Sequence, residues 1–405
     1  MLTRWIRTFK SIIILCAVLV TSLIGVSFAA SVPMVTVLTP PVTQGLASPL
    51  RVAIDPKGDF YVSDPRIGGV SKFNSSGQRM LVLETKAPPQ GIALSDNGNL
   101  FVSQGDSVVI LDQGGTVLGR LGSGIGQFKK ANGIAVDAAG FVYVVDSLAN
   151  NVRVFNSYGQ FVRTIGATGT AAGQFSMPTG IAYDRSANQI AVADTQNGRI
   201  QFFNATGNYN FVKSIGTFGV APLQFKRPIG VAFEYDAAGK LSRMYVADTF
   251  LNTIQVIDPT GSGQFLAYIG KNGLANGQLM IPMDVAFDQV QKRLLVANGS
   301  GSLTMYGIDG GVNPVVTAPV TLTVDPVPAN VNSANITLSG AVDSSARVTV
   351  ITNSAAVAAP VVYTSATSWK CNVSGLAPGD NVLTVMANNS TGGVSRHSIG
   401  IVYSP

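Results

Sequence analysis

Residues 132–155 read NGIAVDAAGFVYVVDSLANNVRVF. Two short apolar runs, GIAVD and FVYVVD, are joined by DAAG, a tight Gly-containing turn. A third run, NVRVF, follows a polar bend, and QFVRTIG makes a fourth after NSYG. Four short strands with tight turns and no helical period describe one small antiparallel sheet. Asp137 and Asp146 end the first two runs. Paired carboxylates can bind metal, do acid/base work, or hold turns through backbone N–H groups. The rest of the chain decides between these.

The unit recurs. PLRVAIDPKGDFYVSD, PQGIALSDNGNLFVSQ, PTGIAYDRSANQIAVAD, PIGVAFEYDAAGKLSRMYVAD and PMDVAFDQVQKRLLVAN align with it, giving six copies. They end at Asp64, Gln104, Asp146, Asp194, Asp248 and Asn298, spaced by 40, 42, 48, 54 and 50 residues. Four-stranded units at a period of about 40–50 residues are the mark of propeller blades. The fold class expected is all-β: a six-bladed β-propeller of four-stranded antiparallel blades over residues 31–315. The sixth copy lacks a fourth strand. MVTVL, residues 34–38, is expected to supply it and remove an open edge.

GIAVD, VYVVDS, NNVRVF, and the linkers GQF (126–128 and 173–175) before PTGIA and PIGVA make residues 47–309 resemble NHL-repeat propellers. Arg199 and Gln201, in NGRIQFF, stand where that family places an Arg and a Gln; Asn151 and Thr253 replace the Arg in copies three and five. Some propellers related to this family are enzymes. An amidating lyase of similar fold uses histidines on zinc, but the one histidine here is His397, beyond the repeats. A histidine-based zinc site or a Ser–His–Asp triad in the propeller is therefore not available. Lactonase-type propellers hold calcium with Glu, Asn and Asp in the channel. The resemblance would put such a calcium near Glu234, Asp284 and Asn132, although no spacing singles them out.

From about Ala318 the repeat stops. VTLTV, ANITL, RVTVIT, PVVYT, SWKCNV, NVLTVMA and HSIGIVY are seven short alternating strands. They are expected to form an Ig-like β-sandwich over residues 316–405, and SWKCNVSGLAPGDNVLTVMANNSTGG resembles bacterial Ig-like modules of cell-surface proteins and extracellular enzymes. Trp369, Cys371 and Val373 share one strand face, so Cys371 reads as a buried thiol beside a core tryptophan.

The first thirty residues carry Arg4, Arg7 and Lys10, then an apolar stretch over 11–26, then SFAAS. This is the layout of a secretory signal peptide cut after Ala29 or Ala30. The apolar stretch is shorter than the ~20 residues of a spanning helix, and Leu15 before Cys16 argues against lipidation. Without the three leader cations, 24 basic residues face 21 acidic ones, a net charge of +3. No Lys/Arg run exists, which argues against nucleic acid. An exported protein left with one cysteine fits a bacterial envelope, periplasmic, cell-surface or extracellular.

Among candidate residues, Asp55, Asp137, Asp184 and Asp288 end the first strand of a unit. Asp64, Asp146, Asp194 and Asp248 end the second. Antiparallel strands put these two sets at opposite ends of the blades, as turn-holders rather than pairs. A glycine opens the first strand at Gly91, Gly133, Gly180 and Gly230, but copies one and six carry Arg51 and Asp284 there. They read either as a salt bridge across the closing seam, the preferred view, or as a charged ligand site at the axis. Lys129, Lys130, Lys226 and Arg227 lie in the longer linkers and are the best contacts for an acidic partner. Phe128, Phe175, Phe225 and Leu279 read as plugs between blades. The functional expectation is an exported, non-catalytic scaffold that binds protein or polysaccharide of the cell envelope and needs no cofactor. The alternatives are a calcium-dependent hydrolase or lactonase and an architectural surface protein.

Overall fold

The computed structural model describes residues 30–122, 127–312, 320–352, 356–389 and 394–405. The expected leader, Gly126 of the first GQF linker and most of the 310–319 segment lie outside the described residues. The described chain is all β-structure apart from a single 3-10 turn, Thr195–Asn197.

Six four-stranded antiparallel sheets make the larger body. The sheet that carries the opening stretch consists of Ala131–Val136, Val142–Asp146, Asn151–Phe155 and Phe161–Ile165. Its second strand is buried throughout, because Val and Tyr side chains pack against the neighbouring blades on both faces. The inner strands are Arg51–Ile54, Ile92–Leu94, Ala131–Val136, Ile181–Asp184, Pro228–Tyr235 and Pro282–Asp288. Each packs beside the next, and the last packs beside the first. The sheets therefore form a closed ring of six blades.

Blade six joins the two ends of the ring. Its outer strand is Val35–Val42, antiparallel to Ser302–Ile308 with Val37 opposite Tyr306. Asp309 fastens it further: its N–H donates to the Met34 carbonyl at 2.8 Å, and its Oδ1 accepts the Met34 N–H at 2.8 Å.

Apolar clusters fill the gaps between blades, and one residue from each of the last four linkers sits in such a gap. Phe128, Phe175, Phe225 and Leu279 are all buried there. Gly166 shows why the linker sequence is restrictive. It adopts φ +81°, and a Cβ on it would lie 2.3 Å from the Phe175 ring.

The smaller body holds two four-stranded sheets around one core, in which Trp369, Cys371 and Val373 meet Leu383, Val385 and Ile401. The alternation expected of SWKCNV is present, with Lys370 and Asn372 exposed. The expected strand VTLTV is reduced to an irregular pairing. Residues 320–324 run antiparallel to 339–343 through the bridge Leu322–Val342 and backbone bonds such as Thr323 N–H to the Ala341 carbonyl, and Asn330–Val331 pairs with the C-terminal strand. Asp325, Pro326 and Pro328 follow that segment, and proline cannot donate to a ladder.

Candidate binding face and axial plug

The inner strands approach one another closely at the axis. A Cβ on Gly133 would lie 2.5 Å from the Thr179 carbonyl oxygen, and one on Gly230 would lie 2.7 Å from the Asp284 Cα. Glycine is required at such an approach. The seam between blades six and one is the exception, and it carries Arg51 and Asp284.

Arg51 does more than face Asp284. Its Nη1 lies 3.7 Å from Asp284 Oδ1 and donates to the Met283 carbonyl at 2.8 Å. Its Nη2 donates to Asn132 Oδ1 at 3.1 Å and to the Thr179 carbonyl at 3.2 Å. Those partners belong to blades six, three and four, so the guanidinium crosses the axis and closes the channel. Asp284 Oδ2 accepts the Val52 N–H at 3.1 Å across the seam. Burial pushes the Asp284 carboxyl up to about 6, against the opposing pull of Arg51 and two backbone N–H groups. Burial likewise lowers the Arg51 pKa, with Asp284 opposing.

Elsewhere the blades are stitched by hydroxyls. Ser63, Ser103, Ser147, Thr195 and Thr249 donate to the carbonyls of Gln90, Asn132, Pro178, Pro228 and Pro282, at 2.6 to 2.9 Å. Each link joins one blade to the next. At the two corresponding places in blade six, before and after Asn298, stand Ala297 and Gly299, so the seam relies on Arg51 and Asp284 instead.

On the far side of the plug the channel widens into a 230 Å³ cavity. Its walls are mostly apolar side chains and backbone, including Ile134, Ile181, Val231, Tyr235 and Phe287. The residues of the calcium alternative do not converge in it. Asn132 and Asp284 contact Arg51. Glu234 Oε2 accepts Arg243 Nη1 at 3.0 Å and the Tyr245 hydroxyl at 2.7 Å, and Lys292 lies 3.7 Å from Oε1. Arg243 also donates to Asp309 Oδ2 at 2.6 Å, tying this cluster to the N-terminal strand. Among the described residues no group of three or more His, Cys, Asp or Glu is arranged to hold a metal ion.

The two aspartate sets lie at opposite ends of the blades. Asp137 Oδ1 accepts the N–H groups of Ala139 and Phe141 in its tight turn, at 2.9 and 2.8 Å. Asp146 accepts those of Lys129 and Lys130, at 2.8 and 2.9 Å. Asp64, Asp194 and Asp248 hold their linkers in the same way. Arg199 and Gln201 also brace a linker. Arg199 bonds Asp194 and the carbonyls of Ala171 and Gln174, and Gln201 bonds Asp194 and the Gln174 carbonyl.

Charge is divided unevenly between the two ends of the ring. The loops from second to third strands and the linkers between blades share one face. Among their described residues stand the exposed cations Lys129, Lys130, Lys226 and Arg227, joined by Arg66, Lys86 and Lys271. Asp106 is exposed there, as is Glu84 where the first linker leaves its strand; the strand-end aspartates are buried against backbone N–H groups. On the opposite face the exposed charges balance, with Asp96, Asp236 and Asp309 against Lys57, Arg185 and Lys240. Lys129–Lys130 and Lys226–Arg227 enter blades three and five, so blade four separates them. Between blades five and six the linker face sinks into a depression of 490 Å³. Arg227, Phe250, Met280, Ile281 and Met283 line it, and the Arg227 guanidinium lies 5.0 Å over the Phe250 ring. Arg66, Lys86, Lys271 and this depression escaped the reading of the sequence. Sorting charges by loop class would have found the cations.

These features define a six-bladed β-propeller closed at its axis, with one basic face. Residues 126–218 match a family model described as a 6-bladed beta-propeller. The mouse peptidyl-glycine alpha-amidating monooxygenase is 32% identical over 160 residues, covering 36% of this chain and 16% of that protein. A Xenopus laevis form is 32% identical over 166 residues, covering 37% and 18%. The match thus spans less than a fifth of those relatives. A Bacteroides thetaiotaomicron protein of unknown function superposes with a TM-score of 0.53 at 15% identity, over 68% of this chain and 75% of its own. An auxiliary nutrient binding protein from Bacteroides ovatus gives 0.52 at 12% identity, over 69% and 77%. At such identities the structural likeness concerns the fold.

Proposed function

We propose that this chain is an exported, non-catalytic binding scaffold of the cell envelope. Its propeller, of NHL type, offers the linker face to an acidic envelope component, and its Ig-like C-terminal module serves as spacer or second contact. The observation that carries the reading is the charge division: seven exposed cations against the exposed acids Asp106 and Glu84 on the linker face, on loops held by a rigid ring. The axis, where a propeller could otherwise admit a ligand, is closed by Arg51 on this side. The binding role named for the Bacteroides ovatus protein accords with the proposal. The amidating activity named for the animal relatives is not carried over, since no histidine lies in the propeller.

The test is retention of material from the native envelope by immobilised residues 31–405. Lys129→Glu/Lys130→Glu/Lys226→Glu/Arg227→Glu should lose that material, whereas unchanged retention would remove the proposal. The calcium-dependent hydrolase is tested by thermal melting with and without calcium. A calcium-dependent rise abolished by Asp284→Asn or Glu234→Gln would favour it.

A further inference from the structure

The linker face is apolar as well as basic. Phe250 and Leu274 are 60% and 75% exposed, and Leu148, Phe218, Val220 and Ile281 join them on loops and linkers of blades three to six. These side chains alternate around the rim with Lys129, Lys130, Lys226, Arg227 and Lys271. Ile281 is held in a costly conformation. It adopts φ +56°, rare for a β-branched residue, with its N–H fixed on Asn252 Oδ1 at 2.8 Å. The fold thus keeps an exposed aliphatic side chain beside the depression that Arg227 and Phe250 border.

We infer that this face docks onto an anionic lipid bilayer. The inference rests on the linker-face reading above and names the chemistry of the partner. Cations among exposed apolar side chains on one side of a body are what interfacial attachment requires: charges meet acidic headgroups, and apolar tips enter the acyl boundary. An acidic polysaccharide would satisfy the cations, but it offers nothing to Leu274, Ile281, Val220 and Leu148. The apolar depression that Phe250, Met280, Ile281 and Met283 line lies beside the Arg227 cation, so charges and apolar side chains reach the same surface. The opposite face, where exposed Asp96, Asp236 and Asp309 balance Lys57, Arg185 and Lys240, has no such cationic excess, which orients the ring with its linker side toward the membrane.

The experiment is co-sedimentation of residues 31–405 with vesicles of phosphatidylglycerol and phosphatidylcholine in equal parts, against phosphatidylcholine alone. Binding to the first and not the second is expected, falling as salt rises. Phe250→Ser/Leu274→Ser and Lys226→Glu/Arg227→Glu should each weaken it at least tenfold. Lys57→Glu/Lys240→Glu, with the same net charge as the latter but altered on the opposite face, should leave it unchanged. Phe250→Trp should shift its emission to the blue on the anionic vesicles. No vesicle binding, or equal loss in the opposite-face variant, overturns the inference. Binding to a soluble acidic polysaccharide through Lys226 and Arg227 without vesicle binding also overturns it, but leaves the scaffold reading standing. Circular dichroism of every variant separates misfolding from lost contact.

Discussion

Arg51 is a single residue whose role depends on the whole ring. Its guanidinium satisfies groups on three blades and sits beside a buried carboxylate. Arg51→Ala leaves Asp284 buried without its counter-charge and should cost about 3 kcal/mol in denaturant unfolding. Arg51→Met/Asp284→Asn should recover part of that loss, because no buried charge remains uncompensated. The Asp284 carboxyl, at about 6 in the fold against 3.8 in an ordinary setting, makes the site sensitive to pH. A raised carboxyl binds its proton more tightly in the folded state. Its contribution is therefore full below pH 3.8 and lost as pH rises through about 6, on the order of 3 kcal/mol. Melting followed from pH 4 to 7 should show this slope in the wild-type protein and a flatter one in Asp284→Asn. The glycine-to-charge changes at residues 51 and 284 were legible as a break in the repeat. That Arg51 reaches Thr179 was not, because a side chain's reach across an axis depends on the radius of the ring.

At the scale of elements, the blades are recognisable in the chain because each carries its own period-two apolar pattern and its own turns. Their association rests on contacts that skip from blade to blade. The hydroxyl links are an instance: Thr249 follows a strand-end aspartate and looks like any loop residue, yet it donates to the Pro282 carbonyl of the next blade. Thr249→Val removes that donor and should destabilise the protein by about 1–3 kcal/mol. Gly180→Ala tests the axial approach, since the new Cβ would lie 1.8 Å from the Ile229 carbonyl oxygen. Forced apart by the added methyl, blades four and five should lose about 1–3 kcal/mol. Deleting Val35–Val42 uncovers the pairing edge of Ser302–Ile308 and the buried core beneath Val42. Melting should fall sharply, and light scattering should report association through the freed edge.

For the whole molecule, the division of charge matters more than its sum. Lys226→Glu/Arg227→Glu and Lys57→Glu/Lys240→Glu change the net charge equally, but only the first pair lies on the linker face. The first should elute from a cation exchanger at lower salt than the second. Melting should differ little between them, because exposed side chains are being exchanged. By itself, the sequence determined the number of blades, the strands within them, the glycine ring and the break in that ring, since these follow from local patterning and repetition. Only the tertiary structure decided that Arg51 plugs the channel, that Glu234, Asp284 and Asn132 serve cationic side chains rather than converge, and that Lys226, Arg227, Phe250, Leu274 and Ile281 share one face. Those outcomes depend on which ends of distant strands lie side by side once the ring closes. No local pattern carries that information.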